Sequence, residues 1–197
     1  MRRSELEHII RAAGAIAGVK EIIILGSQSI LGQFPLIGEK GLDEGLKAQI
    51  DVSLSKTNPY KILSLSVEAD IMVPENESLA DIIEGTIGEL SHFHDTFGYY
   101  AQAVDSTTSK LPKRWMERLI PIVNENTNGI KGLCLEIHDL MISKLFASRK
   151  KDFEFFQAAV NLNLVDKNTL KERLAEAMFE KIDFDRIENL INRGFDE

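Results

Sequence analysis

The stretch Glu21-Ile-Ile-Ile-Leu25 constrains the fold more than any other part of the chain. It is short, β-branched and apolar at successive positions, where a strand with one wet face would alternate apolar with polar residues. Such a run suits a strand covered on both sides of a sheet. Ahead of it, Leu6, Ile9, Ile10, Ala13, Ile16 and Ala17 keep the spacing of one helical face. Ser4 and Glu7 have the spacing of a capping box at the start of that helix, and Gly18 suits its end. Behind the strand, Gly26-Ser27 turns the chain into what reads as the start of another helix. Helix, buried strand, tight corner and helix together predict an α/β (α+β) fold.

The remaining elements follow the same logic. Residues 66–73, SVEADIMV, alternate in their first half and are apolar at the end, which predicts a second central strand. Ser78 suits the N-cap of a helix carrying Leu79, Ile82, Ile83, Ile87 and Leu90. Residues 98–104, 119–123 and 132–137 read as further strands or extended segments, with a short helix at 112–119. Helices are predicted at 138–149, 152–161, 167–179 and 183–193, dividing the chain into a core at 1–137 and a C-terminal helical region at 138–197 packed on it. Within the core, Pro35, Gly38, Gly41, Gly45 and Pro59 make 34–61 an irregular insertion around a possible short strand or edge hairpin at 48–55.

Composition limits the function classes. A chain of 197 residues with 44% hydrophobic content buries one core, or one core with a small helical appendage. Its formal charge of −8 gives no overall attraction to nucleic acid or to anionic membranes, so any nucleic-acid contact has to be local. Cys134 has no partner for a disulfide, and MRRSELEHII carries no apolar run behind its basic residues. No apolar stretch approaches the roughly 20 residues of a membrane span. The expectation is a soluble, cytoplasmic protein.

Chemistry is concentrated at Glu68 and Asp70. On a strand, residues i and i+2 point to one face about 6 to 7 Å apart along the chain. Two carboxylates so placed can converge on Mg²⁺, which takes oxygen ligands and is commonly bound through one or two carboxylates plus substrate phosphates. Gly26-Ser27 at the end of a neighbouring strand would offer backbone amides and a hydroxyl to a triphosphate. Each half also has a plainer reading, as a solvated strand face and as a simple turn. Lys144 lies on the apolar stripe of Leu140 and Met141, and Asp152 on that of Phe155 and Phe156. If one helix runs through both, they stand about 80° apart and near enough to serve one site; a buried structural pair is the alternative. Arg149, Lys150 and Lys151 form a basic cluster in an acidic chain, suited either to a solvated face or to a triphosphate or RNA backbone.

The order LGSQSILG, VEADIMV, IGELSHFHDTFGYYAQAV, LPKRWMERLIPI and CLEIHDLMISKLFASRKKDFEF resembles the nucleotidyltransferase-like families of bacterial toxin–antitoxin and abortive-infection systems, over about residues 1–175. The resemblance implies a DNA-polymerase-β-type nucleotidyltransferase core with a mixed sheet, followed by helices. It assigns the metal and triphosphate site to Gly26, Ser27, Glu68 and Asp70, with later family positions at Lys144, Lys151 and Asp152. The implied activity is Mg²⁺-dependent transfer of a nucleoside monophosphate from an NTP to an RNA or protein acceptor. A catalytically degenerate member acting as a regulatory or antitoxin partner is the alternative.

The chain departs from that pattern in three ways. Forty residues lie between Ser27 and Glu68, a far longer spacer than usual, so the insertion has to loop out and return to the same sheet. The first acid is Glu rather than the commoner Asp. The third carboxylate, which active transferases use as general base or further metal ligand, has no position fixed by spacing. Glu136 is the first candidate and Asp139 the second. His92 and His94 lack a third ligand at zinc-like spacing, Cys134 reads as a small core residue, and Tyr99, Tyr100 and Trp115 read as packing rather than base-stacking groups.

Overall fold

The computed structural model describes residues 1–41, 58–74, 76–105, 107 and 109–196. The possible strand at 48–55 lies outside them. Helix α1 (Arg3–Ala17) buries Leu6, Ile9, Ile10 and Ala13 and ends at Gly18, whose φ of 67° is the left-handed conformation that glycine adopts at no steric cost. Its cap differs from the expected Ser4–Glu7 box. Arg2 is the N-cap, and its amide donates to Glu5 Oε2 at 2.7 Å. Glu7 turns inward instead, accepting from Arg3 at 2.9 Å and from Asn124 and Asn126 at 2.8 Å each.

Strand β1 (Glu21–Ile24) is covered on both sides as its composition requires: Ile22, Ile23 and Ile24 are all buried. Each such side chain contributes about 1.5 to 3 kcal/mol relative to an exposed one. The sheet has five strands in the order β3-β2-β1-β5-β4. β1 pairs antiparallel with β2 (Glu68–Met72) and parallel with β5 (Lys131–Cys134). β3 (Tyr100–Ala103) lies parallel to β2, and β4 (Ile120–Ile122) antiparallel to β5, so the sheet is mixed.

Beyond Gly26 the chain forms a six-residue 3-10 helix, Ser27–Gly32, in place of the expected α-helix. The anticipated irregularity of 34–61 is incomplete among the described residues. Residues 37–41 are helical, Pro59–Ser64 form α2, and Ile37 and Leu63 join the core. Asn58 caps α2 by accepting from the Tyr60 amide, while Pro59 occupies a first-turn position where no amide donor is needed. α3 (Glu77–Ile87) starts after Asn76, so Ser78 is not its cap; the Ser78 hydroxyl donates to the Asn76 side chain at 2.6 Å. A short α4 (His92–Phe97) precedes β3, and the expected helix at 112–119 is a single 3-10 turn, Trp115–Arg118.

The C-terminal helices are α5 (Ile137–Ala147), α6 (Lys150–Asn161), α7 (Lys167–Glu176) and α8 (Lys181–Asp196). The chain does not run helically from His138 through Asp152. It breaks at Ser148, which has a left-handed φ of 53°. Arg186 of α8 covers this break, donating to the Leu145 and Phe146 carbonyls at 3.1 Å each. Buried side chains of the sheet and of all four C-terminal helices belong to one contiguous hydrophobic cluster. Among the described residues no helix is long and apolar enough to cross a membrane.

Candidate functional site

The corner after β1 is held against β2 by the backbone. The Leu25 amide donates to the Asp70 carbonyl at 3.0 Å, and the Ser29 hydroxyl donates to the Gly26 carbonyl at 2.8 Å. Gly26 is required here for space rather than for an unusual φ, which is −60°. A Cβ at this position would lie deep inside the van der Waals envelope of Asp70 Oδ2. The carboxylate therefore rests directly on the glycine, and any side chain would push it away.

Glu68 and Asp70 both face a cavity of about 780 Å³ that also takes in Gly26, Ser27 and residues of α5 and α6. Burial raises the Asp70 carboxyl to about 6, with the neighbouring Glu68 charge adding to the rise; Lys144, Arg149 and Lys151 pull the other way. Glu68 accepts from the Tyr100 hydroxyl at 3.1 Å. Burial and that hydrogen bond push the Tyr100 phenol up to about 12, so it stays a donor to the carboxylate at neutral pH.

The opposite wall is made where α5 meets α6. Lys144 Nζ donates to Ser27 Oγ at 2.9 Å, lies 3.4 Å from Asp152 Oδ1, and sits 4.4 Å from the centroid of the Phe155 ring. Burial lowers the Lys144 ammonium below its ordinary value, with Asp152 working against the shift. Asp152 is itself buried, but Arg149 holds it through Nε at 2.6 Å and Nη2 at 3.2 Å. Burial would raise this carboxyl; the Arg149 and Lys144 contacts outweigh it and keep it below the usual range. Lys110, Lys144, Arg149 and Lys151 line the cavity with Glu68, Asp70, Asp152 and Glu154, so its charge is balanced within a chain of net charge −8.

The predicted residues Gly26, Ser27, Glu68, Asp70, Lys144, Arg149, Lys151 and Asp152 all line this one cavity. Glu136 and Asp139 do not. Glu136 is the N-cap of α5, accepting from the His138 and Asp139 amides and from His138 Nδ1 at 2.7 Å. Asp139 is fully buried and gripped by Arg118 at 2.8 and 2.9 Å. Among the described residues no group of three or more His, Cys, Asp or Glu is arranged to hold a metal ion. Cavity residues the sequence reading did not single out include Gln102, Lys110 and Ser66. Gln102 and Tyr100 carry a legible signal, an i,i+2 pair of polar groups on a predicted strand.

The remaining expectations concern packing. Cys134 is buried, and burial raises its thiol to about 12. Tyr99 joins an aromatic cluster with His8, Phe93 and Phe97, and neither it nor Trp115 lines the cavity.

Comparison with curated proteins and with solved structures gave no match. A protein-family comparison matched residues 4–195, nearly the whole chain, to a family described as nucleotidyltransferase of unknown function (DUF6036). With a five-stranded mixed sheet, a Gly-Ser corner seated on an acidic pair, and C-terminal helices sharing one core with the sheet, the chain belongs to that nucleotidyltransferase family.

Proposed function

We propose that the cavity binds a nucleoside triphosphate together with Mg²⁺ and that the chain transfers the nucleoside monophosphate to a macromolecular acceptor, RNA or protein. The observation that carries this reading is the meeting of the β2 carboxylate pair with the Lys144–Ser27 contact at the end of β1. An acceptor oxygen would bond to the α-phosphorus as the bond to the bridging α–β oxygen breaks and pyrophosphate leaves. The donor set suits the cation: Glu68 and Asp70 carry hard oxygen donors on one strand face, and burial together with the Glu68 charge raises the cost of ionising Asp70 in the cation's absence. When bound, Mg²⁺ supplies neutralising charge and alignment at the phosphate oxygens.

The chain's own groups have distinct parts. Gly26 lets Asp70 lie against the corner, and Tyr100 fixes one oxygen of Glu68. Ser27 and the Lys144 ammonium would meet phosphate oxygens, where a buried cation acts with little solvent screening. Arg149 and Lys151 stand at the cavity wall, suited to the outer phosphates.

A specific observation favours a second reading, a catalytically degenerate regulatory or antitoxin partner. Glu136 and Asp139 are committed elsewhere, and Asp152 is bonded to Arg149 and Lys144, so none of these three carboxylates is free to act as base. On the sequence resemblance alone, we assign either form to a toxin–antitoxin or abortive-infection system. The test is a melting curve with each of the four NTPs, with and without Mg²⁺, followed by a search for pyrophosphate release. Stabilisation that grows with NTP only when Mg²⁺ is present, and that Asp70→Asn removes, supports the binding reading. Binding without pyrophosphate in the presence of cell extract favours the degenerate form, and no response to any NTP sinks the nucleotide site.

A further inference from the structure

We propose that Arg186 is a positioning residue for the phosphate end of the cavity: it holds the left-handed turn at Ser148, and through that turn it sets Lys144 and Arg149 at their places in the wall. This role rests on the nucleotide reading above and assigns part of that site to a residue outside it.

The corner between α5 and α6 is unfavourable by itself. Lys144 stands in the last turn of α5 and Arg149 is the N-cap of α6, so only residues 145–148 lie between them. Ser148 makes the turn with a φ of 53° and closes α5 by donating its amide to the Lys144 carbonyl at 3.0 Å. Helices commonly end in this conformation, but usually on glycine, since a Cβ crowds the neighbouring carbonyl. A serine there has to be held. The last carbonyls of α5 also need donors from outside their own helix.

Arg186 supplies both from α8. Its Nη1 donates to the Leu145 carbonyl and its Nη2 to the Phe146 carbonyl, at 3.1 Å each. Nη1 also donates to the Ser148 hydroxyl, which in turn donates to the Leu145 carbonyl at 2.5 Å. One planar fork thus engages two last-turn carbonyls and the left-handed residue, with its charge at the favourable end of the helix dipole. Asp183, one turn earlier on α8, accepts from Nη2 at 2.9 Å and fixes the fork. Arg186 does not line the cavity, so its effect on the site runs through the corner.

On the inner side of the same corner the two cations converge. Lys144 reaches Ser27 at 2.9 Å and Asp152 Oδ1 at 3.4 Å, while Arg149 takes Asp152 Oδ2 at 2.6 Å. Their directions follow from where α5 stops and α6 starts, which the backbone of Ser148 sets. Without Arg186, Ser148 is released toward the conformations that a serine prefers, and Lys144 and Arg149 no longer face one place. The outer phosphates of a nucleotide would lose most, because the β2 carboxylates do not depend on this corner.

The experiment has two arms, both on the full chain. Amide hydrogen exchange without nucleotide follows residues 144–153, where the Ser148, Asp152 and Phe153 amides donate to the Lys144 and Arg149 carbonyls. Titration in Mg²⁺ uses the α,β-methylene analogues of ATP, CTP, GTP and UTP, then the monophosphate of whichever analogue binds. Arg186→Ala should exchange these amides about tenfold or more faster than the wild type, with β1 and β2 unchanged. It should lose about tenfold in affinity for the triphosphate analogue and less than about twofold for the monophosphate, a split that lost stability alone would not produce. Adding Ser148→Gly should return triphosphate affinity to within about threefold of the wild type, because glycine keeps the left-handed turn without help. If Arg186→Ala melts too low to titrate, Arg186→Gln, which keeps much of the stem without the charged fork, carries the same expectations. Unchanged exchange at the corner, equal losses for triphosphate and monophosphate, or no recovery with Ser148→Gly would each overturn the assignment. Binding of no analogue by the wild type removes the nucleotide reading instead, and the exchange arm still decides whether Arg186 holds the corner.

Discussion

Two buried aspartates in this chain are held by cations in nearly the same way, yet their surroundings differ. Asp139 is fully buried and takes a two-pronged contact from Arg118, with Arg173 at 3.5 Å, and both arginines are themselves largely covered. Arg118 also reaches Glu176 at 3.1 Å and the Lys113 carbonyl at 2.9 Å, which ties α5, α7 and the segment before β4 together. Asp152 is equally buried, but its Arg149 partner has 60% of its side chain exposed and lines the cavity, while Lys144 reaches past it to Ser27. Burial wins at Asp139 and raises its carboxyl; the cations win at Asp152 and lower it. A buried ion pair alone does not mark a site. What separates the two is that the cations of one open onto a cavity and contact a second functional element, whereas those of the other are spent on neighbouring helices.

Cutting the same bond at both places breaks or sharpens this comparison. Asp139→Ala should have the largest effect, a loss of about 3 to 5 kcal/mol, because it strands a covered guanidinium. Urea unfolding measures it, and a loss under 1 kcal/mol, the range of exposed pairs, would show that the network is solvated after all.

Next in size is the pH response of Asp70. Its folded carboxyl ionises at about 6 against an ordinary 3.8, so the folded state binds the proton more tightly than the unfolded chain between those values. Stability then falls as pH rises through that window, by about 2 to 3 kcal/mol for a shift of this size. Asp70→Asn should remove this slope and leave the apoprotein as stable as the wild type at neutral pH, or more so. Unfolding curves from pH 4 to 7 that are parallel for the two proteins would contradict the burial of Asp70 beside Glu68.

Asp152→Ala should cost less than the cut at Asp139, about 1 to 3 kcal/mol, since Arg149 can turn to water and Lys144 keeps Ser27. Equal losses at the two aspartates would erase the distinction between them. Arg149→Ala should be the mildest for stability, within about 1 kcal/mol. It should still weaken Mg²⁺-dependent NTP stabilisation, which a thermal titration reads. An unchanged titration would assign Arg149 to packing alone.

Much of the site was legible because its parts obey local rules. Asp70 and Glu68 share a face through the two-residue period of a strand, and Gly26 stands where another chain atom comes too close for a side chain. Lys144 and Asp152 were paired for an incomplete reason: they meet because the chain turns at Ser148, not because one helix carries both. Glu136 and Asp139 qualify as candidates on sequence alone because acidity can be read there but commitment cannot. Asp139's principal partner, Arg118, lies 21 residues away, and Glu136 satisfies the first amides of its own helix.

By itself the sequence determined the buried β1 strand, the corner after it, the acidic pair on β2 and the run of C-terminal helices, since each follows from side-chain periodicity and backbone sterics among near neighbours. Only the tertiary structure decided that β2 returns beside β1 across the long spacer, that β3 puts Gln102 next to Asp70, and that the α5–α6 corner delivers Lys144 to Ser27. Those contacts join residues far apart in the chain. They depend on closing long loops and filling one shared core, and no local pattern of residues records which distant partner achieves both.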